Sequence, residues 1–122
     1  MVMQNDSSRL IEQEKAAMAF MYKAAKVYNP HKGEHDIVLE AYFTDIDKTY
    51  QLVLTKSECT ILTEGFRPYT ARAEAAYPIF EDLIKGRKNP AIALLKGHIK
   101  AKGDLKVLKR LDEYFPGLEA EE

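Results

Sequence analysis

Hydrophobic and polar residues alternate through the middle of the chain in a way that predicts three consecutive β-strands. Every second residue of segment 37–43 is Ile, Leu, Ala or Phe, and this two-residue period is typical of a strand with one buried face. Segments 50–55 and 59–62 continue the alternation after short polar breaks. Because the connections between these strands are so short, the pattern predicts an antiparallel meander with one face covered.

A fourth predicted strand, 69–75, carries alanine at three successive inward positions. Ala71, Ala73 and Ala75 share one face with Tyr69. Short side chains on this face either let a helix pack closely against the sheet or leave a volume that a ligand fills. Close packing is the commoner outcome in proteins, and the sequence leaves both alternatives open.

The first predicted helix is capped at residues 6–8, by Asp6, Ser7 or Ser8, and runs to about Val27, before Asn29-Pro30 closes it. Its apolar positions recur at the helical period, which predicts one face packed on the sheet. These positions are Leu10, Ala17, Met21, Ala24 and Tyr28. Methionine adapts to varied apolar shapes, so a ligand mouth is a second interpretation of this face.

The last third of the chain predicts a short helix, a strand and a closing helix. Asn89 is a suitable N-cap and Pro90 suits the first helical turn, while Gly97 is expected to end this helix. Segment 98–102 alternates as a half-exposed strand, and Gly103-Asp104 separates it from an amphipathic helix. The apolar stripe of that final helix consists of Leu105, Leu108, Leu111 and Phe115.

Together with a helix that begins at Pro78, these elements give the order α-β-β-β-β-α-α-β-α. This order predicts an α+β fold in which a mostly antiparallel five-stranded sheet is covered on one face by helices. The late strand is expected to insert next to an earlier strand. We expect one domain over residues 1–122, with an N-terminal helix and loop in 1–35 and an acidic tail in 116–122.

Boundary residues near the end of the chain follow a specific order and spacing. Gly86 precedes the Asn89-Pro90 helix start, Lys96-Gly97 leads into the strand and Gly103-Asp104 leaves it, and the closing helix carries Leu108 and Leu111. This pattern resembles the end of the sterol carrier protein type two family, the small lipid-transfer domains, and a weaker resemblance covers roughly 36–115. The resemblance implies an apolar cavity between the sheet and the helices.

The function that follows from this resemblance is a non-catalytic carrier of a fatty acid, acyl chain, sterol or similar apolar lipid. Burial of each CH₂ group contributes about 0.8 kcal/mol, so an acyl chain can be held without a polar anchor. We chose cavity-lining candidates from the apolar side of each element, although any one of them is more commonly core. They are Leu39, Phe43, Leu52, Ile61, Ala73, Phe80, Ile84, Ile92, Leu95, Ile99, Leu108 and Leu111.

Composition agrees with a globular domain of the cytoplasm. The chain has 122 residues, 46% hydrophobic and 30% charged, and no apolar run approaches the roughly 20 residues that cross a bilayer. The first ten residues do not have the pattern of a secretory signal, and the last four contain no peroxisomal address. The single cysteine, Cys59, cannot form an internal disulfide.

The net charge of −1 conceals a strongly basic segment between Lys85 and Arg110, where Asp104 is the one acid. Such runs of charge are usually solvated surface, which is one interpretation of this segment. The other interpretation is transient contact with an anionic membrane. The segment lacks the interleaved aromatics and motifs of nucleic-acid binding, so we expect no nucleic acid partner. The residues expected to face a membrane are Lys100, Lys102, Lys106, Lys109 and Arg110.

The sequence gives little support for a catalytic or metal-binding site. His31-x-x-Glu34-His35 has the spacing of a zinc hydrolase, but that site needs a helix, and Pro30 and Gly33 disfavour one here. Cys59 lies in a predicted strand without a nearby base and is expected to be an inert thiol. We therefore expect no enzyme activity, no catalytic residues, no metal and no cofactor.

Two alternatives from other functional classes stay open. One is an accessory domain for protein interaction or dimerisation, with a filled core and a homodimer as its assembly. The other is a small hydrolase or isomerase, which requires a buried, desolvated carboxylate such as Glu40 or Glu74 at the cavity floor.

Overall fold

The fold is described here from a computed structural model that covers residues 2–84 and 87–116 of the chain. Most of the predicted acidic tail, residues 117–122, lies outside this description. The elements are α1 (Val2–Val27), β1 (Ile37–Phe43), β2 (Lys48–Leu54), β3 (Cys59–Leu62), β4 (Ala71–Ala75), α2 (Tyr77–Ile84), α3 (Pro90–Leu95), β5 (Lys100–Gly103), α4 (Leu105–Leu108) and α5 (Leu111–Tyr114).

The five strands form one sheet in the order β3-β2-β1-β4-β5. The pairs β1/β2, β2/β3 and β4/β5 are antiparallel, and β1/β4 is parallel. The predicted α+β class and the mostly antiparallel sheet are confirmed. The late strand β5 adds to the sheet at its edge, beside β4.

The parallel pair determines the path of segment 63–70. Since β3 and β4 run in the same direction, the chain has to return to the opposite end of the sheet between them, crossing β2 and β1 on the way. This crossing covers the outer face, on which Val38, Gln51 and Val53 are all buried. Helices cover one face of the sheet, as predicted, but the sequence did not predict that the crossing segment buries residues on the other face.

The inner face of the sheet holds an aromatic cluster that joins the sheet to α1 and α2. Phe43 of β1 is fully buried, and its ring centroid lies 4.9 Å from that of Phe80, 5.5 Å from Tyr50 and 5.8 Å from Tyr77. Phe20 of α1 packs edge-on against Tyr77 at 5.9 Å. These geometries are the tilted and edge-to-face contacts that aromatic rings prefer. Phe43 therefore lies at the centre of the core.

The helical stripe predicted for α1 is largely present. Ala17, Met21 and Ala24 are buried and Tyr28 is half-buried. The side chain of Leu10 lies outside the described part of the chain. The stripe packs on the inner face of the sheet, as the helical spacing predicted.

Two helix starts differ from the prediction. α1 begins at Val2 and continues through residues 6–8 instead of starting there, since Asp and Ser are weaker helix formers but do not terminate a helix. α2 begins at Tyr77 rather than Pro78, and the backbone N–H of Tyr77 donates to Asp45 Oδ1 at 3.0 Å. A carboxylate from a distant turn thus caps the helix, which the local sequence could not indicate.

Two strand starts are also later than predicted. β4 begins at Ala71 rather than Tyr69, because the chain is still completing its crossing of the outer face at Tyr69. β5 begins at Lys100 rather than His98, whose backbone N–H donates to the carbonyl of Ala93 at 2.9 Å. This bond belongs to the C-terminal end of α3 and keeps His98 out of the sheet ladder.

The predicted closing helix is two short helices, α4 and α5. Backbone hydrogen bonds near the junction span three residues, and Arg110 leaves the helical conformation with φ −108° and ψ 17°. The break changes which residues are buried. Val107 joins the core and Leu105 is left 40% exposed, while Tyr114 and Phe115 are both buried. One straight amphipathic helix would not bury two adjacent aromatic residues on a narrow stripe.

Gly103 has a steric role at the end of β5. Its φ is +88°, and a Cβ atom built on it would lie 2.4 Å from the carbonyl oxygen of Thr70. Only glycine therefore allows β5 to approach the start of β4 so closely. Asp104 follows as the N-cap of α4, with Oδ1 accepting from the backbone N–H of Lys106 at 3.0 Å.

Candidate functional site

A narrow apolar cavity of about 40 Å³ lies between the inner face of the sheet and the helices. Such a volume has room for little more than a few water-sized groups, so it does not hold an acyl chain in this conformation. Its lining consists of Met21, Leu39, Glu40, Ala41, Tyr50, Leu52, Ala73, Phe80, Leu108, Leu111 and Phe115.

The cavity lies over a row of small side chains. Strand register places Ala41 of β1 opposite Ala73 of β4, and Ala73 opposite Ala101 of β5. Ala41 and Ala73 line the cavity, whereas the other two alanines of β4 are packed in the core without lining it. Both outcomes considered for these alanines therefore occur on β4: Ala71 and Ala75 are closely packed, and Ala73 borders unfilled volume.

Half of the residues that the sequence nominated as cavity lining are brought together here. Leu39, Leu52, Ala73, Phe80, Leu108 and Leu111 line the cavity. Phe43 and Ile99 are buried in the core and Ile61 packs against it, but none of the three lines the cavity. The side chain of Ile84 lies outside the described part. Contact of these residues with a lipid stays a prediction.

Two nominated residues do not line any internal space. Ile92 is 51% exposed and Leu95 is 87% exposed, on the outer side of α3. This short helix touches the core through Ala93, which is 2% exposed, and through the half-buried Leu94. Six residues cover less than two turns, so spacing alone could not decide which side faces inward.

Besides Glu40, the selection left out four hydrophobic lining residues, Met21, Ala41, Tyr50 and Phe115. The signal for each was present, since all four occupy inward positions of the predicted helical stripes and strands. What the sequence did not provide was the position along each element at which the helices leave a gap.

A larger, open groove of about 610 Å³ lies between α1 and the strands beside it. Most of its side chains on α1 are apolar or carry long alkyl stems. An ion pair between Glu14 and Lys48, with the Lys48 Nζ atom 3.2 Å from Oε2, spans the groove from α1 to β2. The lining residues are Ile11, Glu14, Lys15, Met18, Ala19, Tyr22, Lys48, Thr49, Tyr50 and Thr63.

Tyr50 lines both the groove and the inner cavity. Its ring packs on Phe43, and its hydroxyl has no hydrogen-bond partner among the described residues yet is not sealed from solvent. Burial raises the pKa of Tyr50, and the groove residue Glu14 adds to the rise while Lys48 opposes it. Tyr50 therefore belongs to both spaces, and the charged groove residues Glu14 and Lys48 act on its hydroxyl.

No described carboxylate faces the cavity from its floor. The Glu40 carboxylate is on the outer face of the sheet, where Oε1 accepts from Gln51 at 2.8 Å and Oε2 pairs with Arg72. Glu74 also pairs with Arg72, at 3.2 Å. The two carboxylates considered for the hydrolase alternative are thus both bound to other side chains.

The zinc-like spacing at residues 31–35 lies in a loop, as predicted. His31 Nε2 donates to the carbonyl of Leu54 at 3.0 Å, and its Nδ1 accepts from Gly33 N–H at 3.0 Å. Both ring nitrogens are occupied in fixing the loop, so His31 has a larger structural role than an ordinary loop residue. Among the residues described, no group of three or more His, Cys, Asp or Glu side chains is placed to hold a metal ion.

Cys59 is half-buried in β3, and desolvation raises the pKa of its thiol to about 12. The thiolate is therefore scarce near neutral pH, and this cysteine has the character of an inert side chain.

All five basic residues nominated for membrane contact are exposed: Lys100, Lys102, Lys106, Lys109 and Arg110. None of them has an ion-pair partner within 2–84 and 87–116. In the same part of the chain, no helix combines the length and the apolar character needed to cross a bilayer.

Comparison with known proteins shows similarity in structure and not in sequence. No protein-family model and no curated protein matches this chain. A stereoselective inverting sec-alkylsulfatase from Pseudomonas sp. is similar over 66% of this chain, with 21% identity and a TM-score of 0.61. A double mutant of that enzyme is similar over 75%, with 20% identity and a TM-score of 0.66. The chain spans only 13% and 15% of the length of these two.

A third solved structure, the SCP2 domain of the ubiquinone synthesis protein UbiJ, is similar to this chain in size as well as fold. The match covers 69% of both chains, with 17% identity and a TM-score of 0.56. Since the identity is low, the likeness concerns the fold. The arrangement that the Lys96-Gly97 and Gly103-Asp104 boundaries indicated is therefore confirmed, and this chain has the fold of the sterol carrier protein type two domains.

Proposed function

We propose that this protein is a non-catalytic lipid carrier that holds one fatty acid, acyl chain or similar apolar ligand between α1 and the inner face of the sheet. The observation that carries the proposal is that Tyr50 lines both the open groove and the inner cavity. Displacement of one ring then joins two apolar spaces into a continuous site.

The tail of the ligand enters from the groove and extends over the Ala41–Ala73 row. The 40 Å³ cavity has to widen for this, through displacement of Tyr50 and a small separation of α1 from the sheet. Burial of a dozen methylenes favours the bound state by about 10 kcal/mol before ordering costs are subtracted. This gain in free energy is large enough to offset the cost of separating α1 locally from the sheet. Local openings of this kind occur as fluctuations of the native state.

The groove also contains cations that suit an anionic head group. Lys15 and Lys48 line it, and Lys48 is held by Glu14 in an ion pair that is about half exposed to solvent. An exposed pair of this kind contributes little to stability, so a ligand carboxylate can replace Glu14 as the partner of Lys48. The proposed site therefore favours a fatty acid over a neutral sterol.

Release to a membrane is the last part of the proposal. The exposed cations Lys100, Lys102, Lys106, Lys109 and Arg110 provide attraction to an anionic bilayer, at about 1 kcal/mol for each charge near the surface. No covalent chemistry is involved, and a cytoplasmic location stays a prediction from the sequence. The sulfatase activity in the name of the Pseudomonas enzyme is not assigned to this chain, which spans 13% of that enzyme.

A second candidate function is an accessory domain for protein interaction or dimerisation. Two observations favour it: the inner cavity is nearly filled, and in the sec-alkylsulfatase a similar fold makes up a small part of a much longer chain. This alternative requires no lipid uptake, which separates it from the carrier experimentally.

Ala73→Leu tests the carrier by filling the floor of the site. Because Ala73 lines the cavity, we expect the affinity for a fluorescent fatty acid analogue to fall at least tenfold, with little change in melting temperature. Ala101→Leu is the matched control, since it makes the same change in the same cross-strand row at a residue that does not line the cavity. Fluorescence titration measures the affinity of each variant.

A filled core predicts a different result for the same substitution. If the cavity is only a packing defect in a filled core, leucine at this position overpacks it and costs about 1–3 kcal/mol. A large fall in the melting temperature of Ala73→Leu, together with no probe binding by the parent protein, would support the interaction domain and reject the carrier.

A further inference from the structure

The outer side of α3 exposes two large apolar side chains. Leu95 is 87% exposed and Ile92 is 51% exposed. Residues three apart on a helix lie on the same side, so the two form one apolar surface. Neither contributes to the inner cavity or to the α1 groove.

Two lysines lie beside Ile92 of this apolar pair. Ile92 lines a surface depression of about 210 Å³ together with Lys88, Lys96 and His98. The two lysines have no ion-pair partner in the described part of the chain. We call Lys88, Ile92, Leu95, Lys96 and His98 the α3 patch.

The backbone holds the α3 patch in a fixed shape. Asn89 Oδ1 accepts from Ala91 N–H at 2.8 Å and from Ile92 N–H at 3.3 Å at the start of the helix. At its end, His98 N–H donates to the carbonyl of Ala93 at 2.9 Å, and Ala93 is itself buried in the core. The apolar pair is thus presented on an anchored helix and needs no refolding to meet a partner.

We propose that the α3 patch is a membrane-docking element, in which Leu95 and Ile92 enter the interfacial region of an anionic bilayer while Lys88 and Lys96 contact its head groups. An apolar pair beside two lysines matches the two layers of such a surface, which are the acyl boundary below and the negatively charged head groups above. The inference rests on the membrane contact in the proposed function and names the element that makes it.

Charge decides between a bilayer and other partners. Residues 87–103 contain no Asp or Glu, so a second copy of the chain docked through the same patch would bring like charges together. A bilayer rich in anionic lipid offers negative charge at every position around the inserted residues and requires no shape match. Arg87 is engaged with Glu81 and Asp82 and is not needed for the contact.

Leu95→Trp tests the insertion directly, because the chain contains no tryptophan and the variant has a single indole reporter. Vesicles of phosphatidylcholine with phosphatidylserine should shift its emission to shorter wavelength, and lipids brominated on their acyl chains should quench it. Phe66→Trp is the matched control, since Phe66 is also exposed, at 43%, but lies in the segment that crosses the outer face and lines neither the α1 groove nor the inner cavity. Its emission should stay unchanged.

The lysines are tested in the same reporter protein. Lys88→Glu with Lys96→Glu should weaken vesicle binding at least tenfold, while the affinity for a soluble fatty acid probe stays unchanged. If the parent protein does not bind the soluble fatty acid probe, the carrier function is rejected. If the probe binds but vesicles do not shift the emission of Leu95→Trp, only the docking proposal is overturned. An emission shift that follows protein concentration instead of vesicles would assign the patch to a contact between copies, and would also overturn it.

Discussion

Phe43→Ala is expected to lower the free energy of unfolding by about 3–5 kcal/mol, the range for removing a large aromatic residue from a packed core. Phe43 is fully buried, and its ring is in contact distance of Tyr50, Tyr77 and Phe80, which connect β2 and α2 to β1. Truncation leaves a cavity at the point where these elements meet and removes three aromatic contacts at once.

Chemical denaturation followed by circular dichroism measures this loss. Phe66→Ala is the matched control, because Phe66 is 43% exposed in the segment that crosses the outer face, and its truncation should cost well under 1 kcal/mol. Equal effects of the two substitutions would contradict the placement of Phe43 at the centre of the core.

Gln51→Leu is expected to cost roughly 2–4 kcal/mol, because it removes the side chain that binds the crossing segment to the sheet. Gln51 is 0% exposed. Its Nε2 donates to the Arg67 carbonyl at 2.7 Å and to Glu40 Oε1 at 2.8 Å, and its Oε1 accepts from Arg67 N–H at 2.9 Å. Leucine has a similar size but leaves the backbone groups of Arg67 without these partners.

The matched control for this change is Gln13→Leu on α1. Gln13 is half-buried, and its side chain has no hydrogen-bond partner within the described ranges, so its replacement should change stability by less than about 0.5 kcal/mol. Amide hydrogen exchange gives a second readout, since the crossing segment 63–70 should lose protection in Gln51→Leu. Unchanged stability and protection would show that the outer face does not depend on this glutamine.

The inner face of the sheet could be predicted because burial on one face imposes a two-residue period. Among the inward residues of β1 and β2, the structure buries Leu39, Phe43, Tyr50, Leu52 and Leu54. Capping residues were equally informative at Asn89 and Asp104, where a local side chain binds the first turn of the helix. Such signals are local, so they can be recognised without knowledge of the fold.

The outer face could not be predicted in this way. Segment 63–70 contains glycine, proline and charged residues and has the composition of an exposed loop, yet it crosses two strands and buries Gln51. The interaction depends on the parallel pairing of β1 with β4, a long-range property that no short pattern encodes. Because Gln51 is the polar residue of an alternating strand, the sequence predicted that its side chain faces solvent. In the structure this side chain is buried, and its hydrogen bonds to Glu40 and Arg67 make that burial possible.

The candidate site was predictable to a similar depth. Inward apolar positions such as Leu52, Ala73 and Leu108 were identified because their elements are periodic. Ile92 and Leu95 were assigned to the interior and are exposed, because α3 is too short for its period to define a face. That Tyr50 lines both the groove and the cavity depends on how α1 packs against the sheet, which only the three-dimensional structure provides.

Native mass spectrometry of the unmodified protein, before and after incubation with oleic acid, tests the central claim most directly. The carrier account predicts one bound fatty acid for each chain, either retained from the expression host or acquired during incubation, and its loss in Ala73→Leu. A parent protein that remains free of lipid under both conditions, at concentrations where its fold is intact, would contradict the claim that the space between α1 and the sheet carries lipid.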